Sequence, residues 1–156
     1  MIENRAQLME ALNYIGSKID KPVNAYLISG AAMMWHNLKD ATKDVDICAS
    51  YEAADDIVDV FRAHGMVEFK EGVAGVTFLR VMLPRKNLVL QIFIQSIYSI
   101  EDFQRLETAE CEVLTCGKLT YRIPDIKTLV ALKDIQMHAL YNEYQSLKES
   151  RSLVQP

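Results

Sequence analysis

The chain has 156 residues, of which half are hydrophobic and 24% are charged, the composition of an ordinary folded domain. A net charge of −4 argues against a dedicated nucleic-acid-binding surface, because phosphate backbones attract basic patches. The length predicts one domain over 1–156, with a core at about 22–100 and a C-terminal helix at about 125–148. Three cysteines without a CxxC pair, no signal-like N-terminus and no apolar run of membrane-spanning length predict a cytoplasmic protein without a membrane partner.

The first half of the chain alternates between predicted helices and strands. Apolar residues at helical spacing come first, and short apolar or alternating runs bounded by turn residues follow. The predicted elements are a helix over 4–19, a strand over 25–28, a helix to about residue 37, a strand over 44–49 and a helix over 52–64. This order favours α/β packing over a helical bundle.

The second half is predicted to be richer in strands. Short polar turns over 71–75 and 84–87 are typical of antiparallel neighbours. The predicted elements are strands over 66–70, 76–83 and 88–95, a short helix after Ser99, a hairpin over 112–114 and 119–123, and a helix over 125–148. The fold class is therefore α/β (α+β), with a mixed β-sheet flanked by helices.

Two aspartates, Asp44 and Asp46, lie two residues apart in the strand over 44–49, so their side chains point to the same face. Two like charges this close repel unless a cation lies between them. Mg²⁺ (or Mn²⁺) prefers carboxylate oxygens and keeps positions open for phosphate oxygens. The pair is thus a candidate metal site, although a solvated acidic face is the alternative for a DxD pattern taken alone.

The turn Ser29-Gly30 separates the first strand from the following helix. Backbone N–H groups at a helix N-terminus attract anions, and Gly30 leaves room for a phosphate to approach. The alternative is that Ser29 is an N-cap and Gly30 an ordinary tight turn. Because this turn and the two aspartates belong to one strand–helix–strand unit, together they predict a phosphate-binding turn beside a metal site.

The segment SGAAMMWHNLKDATKDVDI resembles the signature of the nucleotidyltransferase superfamily and is most similar to its minimal and abortive-infection-type members. Their pattern is a Gly-Gly or Gly-Ser turn, an Ala-rich helix and T-x-D-h-D, with h apolar. Residues 42–46 match the last part, and Ser29-Gly30 occupies the turn in the reverse order. The resemblance implies a nucleotidyltransferase-like fold that transfers a nucleoside monophosphate from a nucleoside triphosphate (NTP) to a hydroxyl, with two Mg²⁺ ions. The acceptor could be a protein, a transfer RNA end or a small molecule, and a toxin–antitoxin protein partner is permitted.

The resembled pattern places a third carboxylate on a later strand, where this chain has Gln91. A glutamine offers a carbonyl oxygen to a metal, but it neither takes a proton nor adds negative charge. Glu68, Glu71 or Asp102 could substitute for it in space. The departure supports a second interpretation, a domain of this fold that has lost catalysis and acts as a nucleotide-binding or protein-interaction module.

For several basic residues and for the tyrosines near the C-terminus, the sequence allows more than one interpretation. Lys133 lies in an apolar stripe of the last helix, where a lysine must meet an anion or extend to solvent, and the resemblance implies contact with the triphosphate. Arg80, Arg85 and Lys86 could contact a triphosphate or nucleic acid, although a solvated face is favoured. The tyrosines of 141–150 are expected to face the core, with a partner helix as the alternative.

Overall fold

The computed structural model describes residues 1–63, 66–71, 77–97, 99 and 101–154, which form one seven-stranded sheet flanked by helices. The helices are α1 (Arg5–Lys18), α2 (Ser29–Trp35), α3 (Tyr51–Arg62), α4 (Asp102–Thr108) and α5 (Ile126–Val154). The strands are β1 (Val23–Ile28), β2 (Asp44–Ala49), β3 (Met66–Glu71), β4 (Thr77–Leu83), β5 (Leu88–Ile94), β6 (Cys111–Cys116) and β7 (Leu119–Pro124). The predicted helix end at residue 64 and most of the predicted turn over 71–75 lie outside the described residues.

The sheet has the strand order β3-β4-β5-β2-β1-β7-β6. Strand β2 pairs parallel with β5 and antiparallel with β1, and β1 pairs parallel with β7. The antiparallel pairs β3–β4 and β4–β5 and the β6–β7 hairpin are as predicted. Because both directions occur in one sheet, the predicted mixed α/β architecture is confirmed.

The two faces of the sheet bury different sets of apolar side chains. Helices α1, α2 and α3 supply most of the helical residues of the larger core, which takes Leu27, Ile47 and Ile92 from the central strands. The smaller cluster lies on the opposite face and consists of Ile28, Cys48, Phe93, Ile97, Leu106 and Leu132. Residues alternate between faces along a strand, so the apolar positions of β2 enter the larger core and its two aspartates share the face of the smaller cluster.

Most of α5 extends beyond the sheet and the other helices, which only its first turns contact. Leu129 and Leu132 are buried, at 2% and 5% exposure, whereas Tyr141 and Tyr144 are each 60% exposed. The prediction that these tyrosines face the core is therefore wrong. A helix of 29 residues is about 43 Å long, roughly twice the length of a seven-residue strand, so its second half has no sheet to cover. In the described part of the chain, no helix combines the length and apolar character needed to cross a membrane.

Helix α1 approaches the β6–β7 hairpin most closely at Gly16. A Cβ atom added at Gly16 would overlap the carbonyl oxygen of Cys116, and Gly117, with a φ of +61°, makes the hairpin turn beside it. Backbone carbonyls cannot move aside as a flexible side chain can. The contact therefore depends on the missing side chain of Gly16.

We predict that Gly16→Ala lowers the free energy of unfolding by about 1–3 kcal/mol through steric overlap. Glycine-to-alanine changes inside helices normally stabilise by about 0.5–1 kcal/mol, so the predicted sign is reversed. Asn13→Ala, at an exposed position of the same helix, is the matched control and is expected to be neutral or stabilising. Urea denaturation measures both variants, and a Gly16→Ala protein at least as stable as the wild type would contradict the close contact.

Candidate functional site

Strand β2 lies at the centre of the sheet and holds the two aspartates between two neighbouring strands. Asp46 is directly opposite Ile28 of β1 on one side and Gln91 of β5 on the other. Asp44 is two residues away on the same face, near the start of the strand. The Oδ1 atom of Asp46 is buried and, among the described residues, has no hydrogen-bond partner. The aspartate pair therefore does not form a solvated acidic face on an exposed edge strand, which was the alternative interpretation.

The Ser29-Gly30 turn directly follows the end of β1, beside Asp46. Ser29 is the first residue of α2, and Ile28 occupies the N-cap position, so the alternative that Ser29 caps the helix is wrong. Ser29 has a φ of +55°, a left-handed conformation that is uncommon for a residue with a side chain. Such strained residues cluster at functional sites, where the surrounding structure holds them in place.

Gly30 packs against the loop that leads into β2. A Cβ atom at Gly30 would lie 2.5 Å from the hydroxyl oxygen of Thr42 and 3.1 Å from the Nζ atom of Lys39. The Thr42 hydroxyl donates a hydrogen bond of 3.1 Å to the carbonyl oxygen of Asp44. The Thr42 backbone also exchanges two hydrogen bonds with Ile2, of 2.9 and 3.0 Å, which fix the loop from its other side. Thr42 thus joins the turn to the first aspartate.

These elements surround a cleft of about 480 Å³, a volume within the usual range of small-molecule sites. Every residue predicted for the site contributes to its lining: Ser29, Gly30, Asp44, Asp46, Gln91 and Lys133. Lys39 and Lys43 also line it, and they were missed because lysines in a polar loop carry no periodic signal. The structure brings the predicted residues together, and their individual roles stay predictions.

Lys133 reaches the cleft from the second turn of α5. It is exposed, as are its apolar neighbours Val130 and Met137. The argument that a lysine in a buried apolar stripe must find an anion therefore does not apply. Its place on the cleft wall, one helical turn from Gln136, is what makes it a candidate contact for a ligand.

The carboxyl group of Asp46 has a strongly perturbed pKa. Burial and the neighbouring charge of Asp44 raise the pKa of Asp46 from 3.8 to about 7, against the opposing effects of Ser29, Lys39 and Arg80. Desolvation and a like charge both disfavour the ionised form. A cation bound between the two carboxylates would remove both penalties, so the site fits a divalent metal ion.

A third acidic ligand is not found beside the pair. The described residues contain no group of three or more His, Cys, Asp or Glu side chains that could hold a metal ion. Glu68 pairs with Lys70 at 3.1 Å. Asp102 is buried elsewhere and accepts hydrogen bonds from the backbone N–H groups of Ile97 and Ser99 at 3.2 and 2.8 Å. Among the described residues, none of Glu68, Glu71 and Asp102 joins the pair as a third ligand, and Gln91 stands opposite Asp46 in that position.

The three basic residues on or beside the β4–β5 pair have different surroundings. Arg85 and Lys86 are exposed on a short 3-10 turn, in agreement with a solvated face. Arg80 is half-buried, and its Nε atom is buried without a hydrogen-bond partner in the described part of the chain. Arg80 is therefore only partly solvated, and its register places it beside Gln91 on the sheet.

Comparison with known proteins supports the fold. No family model matches the chain, and no curated protein matches it. A solved structure from Thermotoga maritima, described as that of a candidate nucleotidyltransferase (TM1012), aligns with a TM-score of 0.64 over 94% of this chain and 96% of that one, at 14% identity. The chain therefore has a nucleotidyltransferase-like fold, as the sequence resemblance implied.

The raised pKa of Asp46 predicts how the metal-free protein responds to pH. Between pH 4 and 7 the folded state binds more protons than the unfolded state, so the free energy of unfolding falls as pH rises. We expect the free energy of unfolding of the wild type to fall by on the order of 2–4 kcal/mol between pH 4.5 and 8. Asp46→Asn should not show this fall, because its amide does not titrate.

Denaturation in EDTA at both pH values, for wild type and variant, measures this difference. Added Mg²⁺ is expected to stabilise the wild type at pH 8 and not the variant. Parallel pH profiles for the two proteins would show that Asp46 is not perturbed as described.

Proposed function

We propose that the protein is a metal-dependent nucleotidyltransferase that moves a nucleoside monophosphate from an NTP to an acceptor hydroxyl. The observation that carries this proposal is the convergence of the Asp44–Asp46 pair, the Ser29-Gly30 turn and three lysines on one cleft. Carboxylates suit Mg²⁺, whereas a glycine turn and ammonium groups suit phosphate oxygens. A magnesium–triphosphate complex needs both kinds of group at adjacent places.

The roles follow from the positions of the groups. Asp44 and Asp46 would hold Mg²⁺ (or Mn²⁺), which when bound neutralises charge on the phosphate oxygens. The backbone N–H groups at Ser29-Gly30 would bind the outer phosphates. The missing side chain of Gly30 lets this turn pack against Thr42 and the ammonium group of Lys39. Lys39, whose ammonium group lies beside Gly30, and Lys133, which lines the same cleft, add positive charge there. With their negative charge offset by such an ion, Asp44 and Asp46 would orient the inner phosphate for attack.

The acceptor is proposed by class. A protein hydroxyl, a transfer RNA end and a small molecule are the three candidates. The resemblance also permits a toxin or antitoxin component that acts with a neighbouring protein. We also propose that the protein acts in the cytoplasm, since its three cysteines are free thiols. The minimal or abortive-infection-type subclass rests on the motif of residues 29–46.

The competing proposal is a domain that binds nucleotide and does not transfer it. Its specific support is Gln91, which stands directly opposite Asp46 where a third acid was expected. A neutral amide lowers the number of metal ions that the site can hold, and catalysis must then proceed with fewer ions or not at all.

Label transfer separates the two proposals. The protein is incubated with each NTP labelled at the α-phosphate, Mg²⁺ or Mn²⁺ and a cell extract, beside an Asp44→Ala/Asp46→Ala variant. We expect label on an acceptor with the wild type and none with the variant. Nucleotide binding by the wild type without any transfer would establish the binding module instead.

Lys133→Met tests the proposed triphosphate contact. We expect NTP affinity to fall roughly tenfold while NDP affinity falls less, because one ammonium–phosphate contact is worth about 1–2 kcal/mol. The matched control is Lys127→Met, which removes an exposed lysine from the same helix outside the cleft. Folding is checked by thermal unfolding. Equal affinities for the wild type and Lys133→Met would eliminate the assigned role.

A further inference from the structure

One row of side chains crosses the sheet through the candidate site. Asp46 is opposite Gln91, Gln91 is opposite Arg80, and Arg80 is opposite Glu68. Residues directly opposite one another on paired strands share a face, and neighbouring strands lie about 4.8 Å apart. The backbones of Asp46 and Arg80 are thus about 10 Å apart, with Gln91 between them, a span that an arginine side chain can largely cover.

Within the part of the chain that the structure describes, the row contains two buried polar atoms without hydrogen-bond partners, and they are complementary. One is Oδ1 of Asp46, which accepts, and the other is Nε of Arg80, which donates. Glu68, the acid next to Arg80 on the row, forms its ion pair with Lys70 instead. Buried polar atoms in folded proteins normally have partners, so a ligand that brings a cation to Asp46 would satisfy its free oxygen. Arg80 lies behind Gln91, which lines the cleft, and a small shift of its side chain past Gln91 would bring its N–H groups to an oxyanion of the same ligand.

The direction of the reaction places Arg80 on the side of attack. In-line displacement at phosphorus puts the attacking and leaving oxygens on opposite sides. The Ser29-Gly30 turn, which receives the leaving phosphates, follows β1 on one side of Asp46, whereas Gln91 and Arg80 belong to β5 and β4 on the other. The attacking hydroxyl therefore approaches over Gln91.

We infer that Arg80, placed by Gln91, supplies the positive charge that a second metal ion supplies in two-metal sites, so that the protein works with one metal ion. An aspartate with a divalent ion carries a net charge of +1, and a glutamine beside an arginine carries the same charge. Two-metal sites need cations at both the attacking and the leaving oxygen. Here the acidic pair would hold one ion near the leaving oxygen, and the guanidinium of Arg80 would supply the positive charge near the attacking oxygen. The inference rests on the proposed function.

The chemical step balances without a second ion. The acceptor oxygen forms a bond to the α-phosphorus, the bond from that phosphorus to the bridging oxygen breaks, and pyrophosphate leaves. The hydroxyl proton passes to solvent water, since an arginine does not take protons in proteins. The N–H groups of Arg80 donate to the oxygens of the α-phosphate, where negative charge accumulates during attack.

Metal stoichiometry tests the inference directly. Free Mn²⁺ is followed by electron paramagnetic resonance during titration of the wild type saturated with a nucleotide whose α,β-bridging oxygen is replaced by methylene. One Mn²⁺ per protein–nucleotide complex supports the inference. Two overturn it and leave the proposed function standing. Failure to bind the nucleotide overturns the proposed function, and the inference falls with it.

Variants give a second, independent readout. Arg80→Gln is expected to lower kcat by at least about 100-fold while nucleotide KM and Mn²⁺ stoichiometry stay unchanged. Arg85→Gln, on the exposed turn nearby, is the control and should retain wild-type activity. The double variant Gln91→Asp/Arg80→Gln should bind a second Mn²⁺. Unchanged turnover in Arg80→Gln, or one ion in the double variant, would overturn the inference.

Discussion

The burial of a carboxyl group at the centre of a seven-stranded sheet is the constraint around which the site is built. Asp46 lies between β1 and β5, with one oxygen buried and unpartnered in the described structure, beside a second carboxylate. Its ionised form is costly there unless positive charge comes close. Lys39 and Arg80 supply such positive charge, and the proposed metal ion would add more. These cations lower the cost of ionising a partly buried acid.

The fold provides this arrangement through the order of its strands. Because β2 is antiparallel to β1 and parallel to β5, the end of β1 and the starts of β2 and β5 meet at one edge. The Ser29-Gly30 turn follows the end of β1 and Asp44 begins β2, whereas Asp46 and Gln91 stand opposite each other farther along β2 and β5. Thr42 then fixes the geometry locally, since it packs on Gly30, hydrogen-bonds to Asp44 and pairs with Ile2. Small displacements of this loop would separate the phosphate turn from the acids.

Local patterns in the sequence predict the elements and the core of the site, because both depend on short-range spacing. The period of two residues in β2 places Asp44 and Asp46 on one face, and the Ser29-Gly30 turn ends the preceding apolar strand. The pairing of β4 with β5 was predicted from the short turn between them, but the exact register that places Arg80 beside Gln91 depends on turn geometry that the residue types alone do not specify. The exposed tyrosines of α5 were mistaken for core because helical spacing does not report where the sheet ends.

The central claim is that one cleft holds a metal–triphosphate complex between the aspartate pair and the glycine turn. A crystal of the protein with Mn²⁺ and a non-hydrolysable NTP analogue, examined by anomalous diffraction, tests it most directly. The account predicts a manganese peak bound by Asp44 and Asp46, with the outer phosphates against the backbone at Ser29-Gly30. Nucleotide density elsewhere on the protein, or manganese without contact to either aspartate, would contradict it.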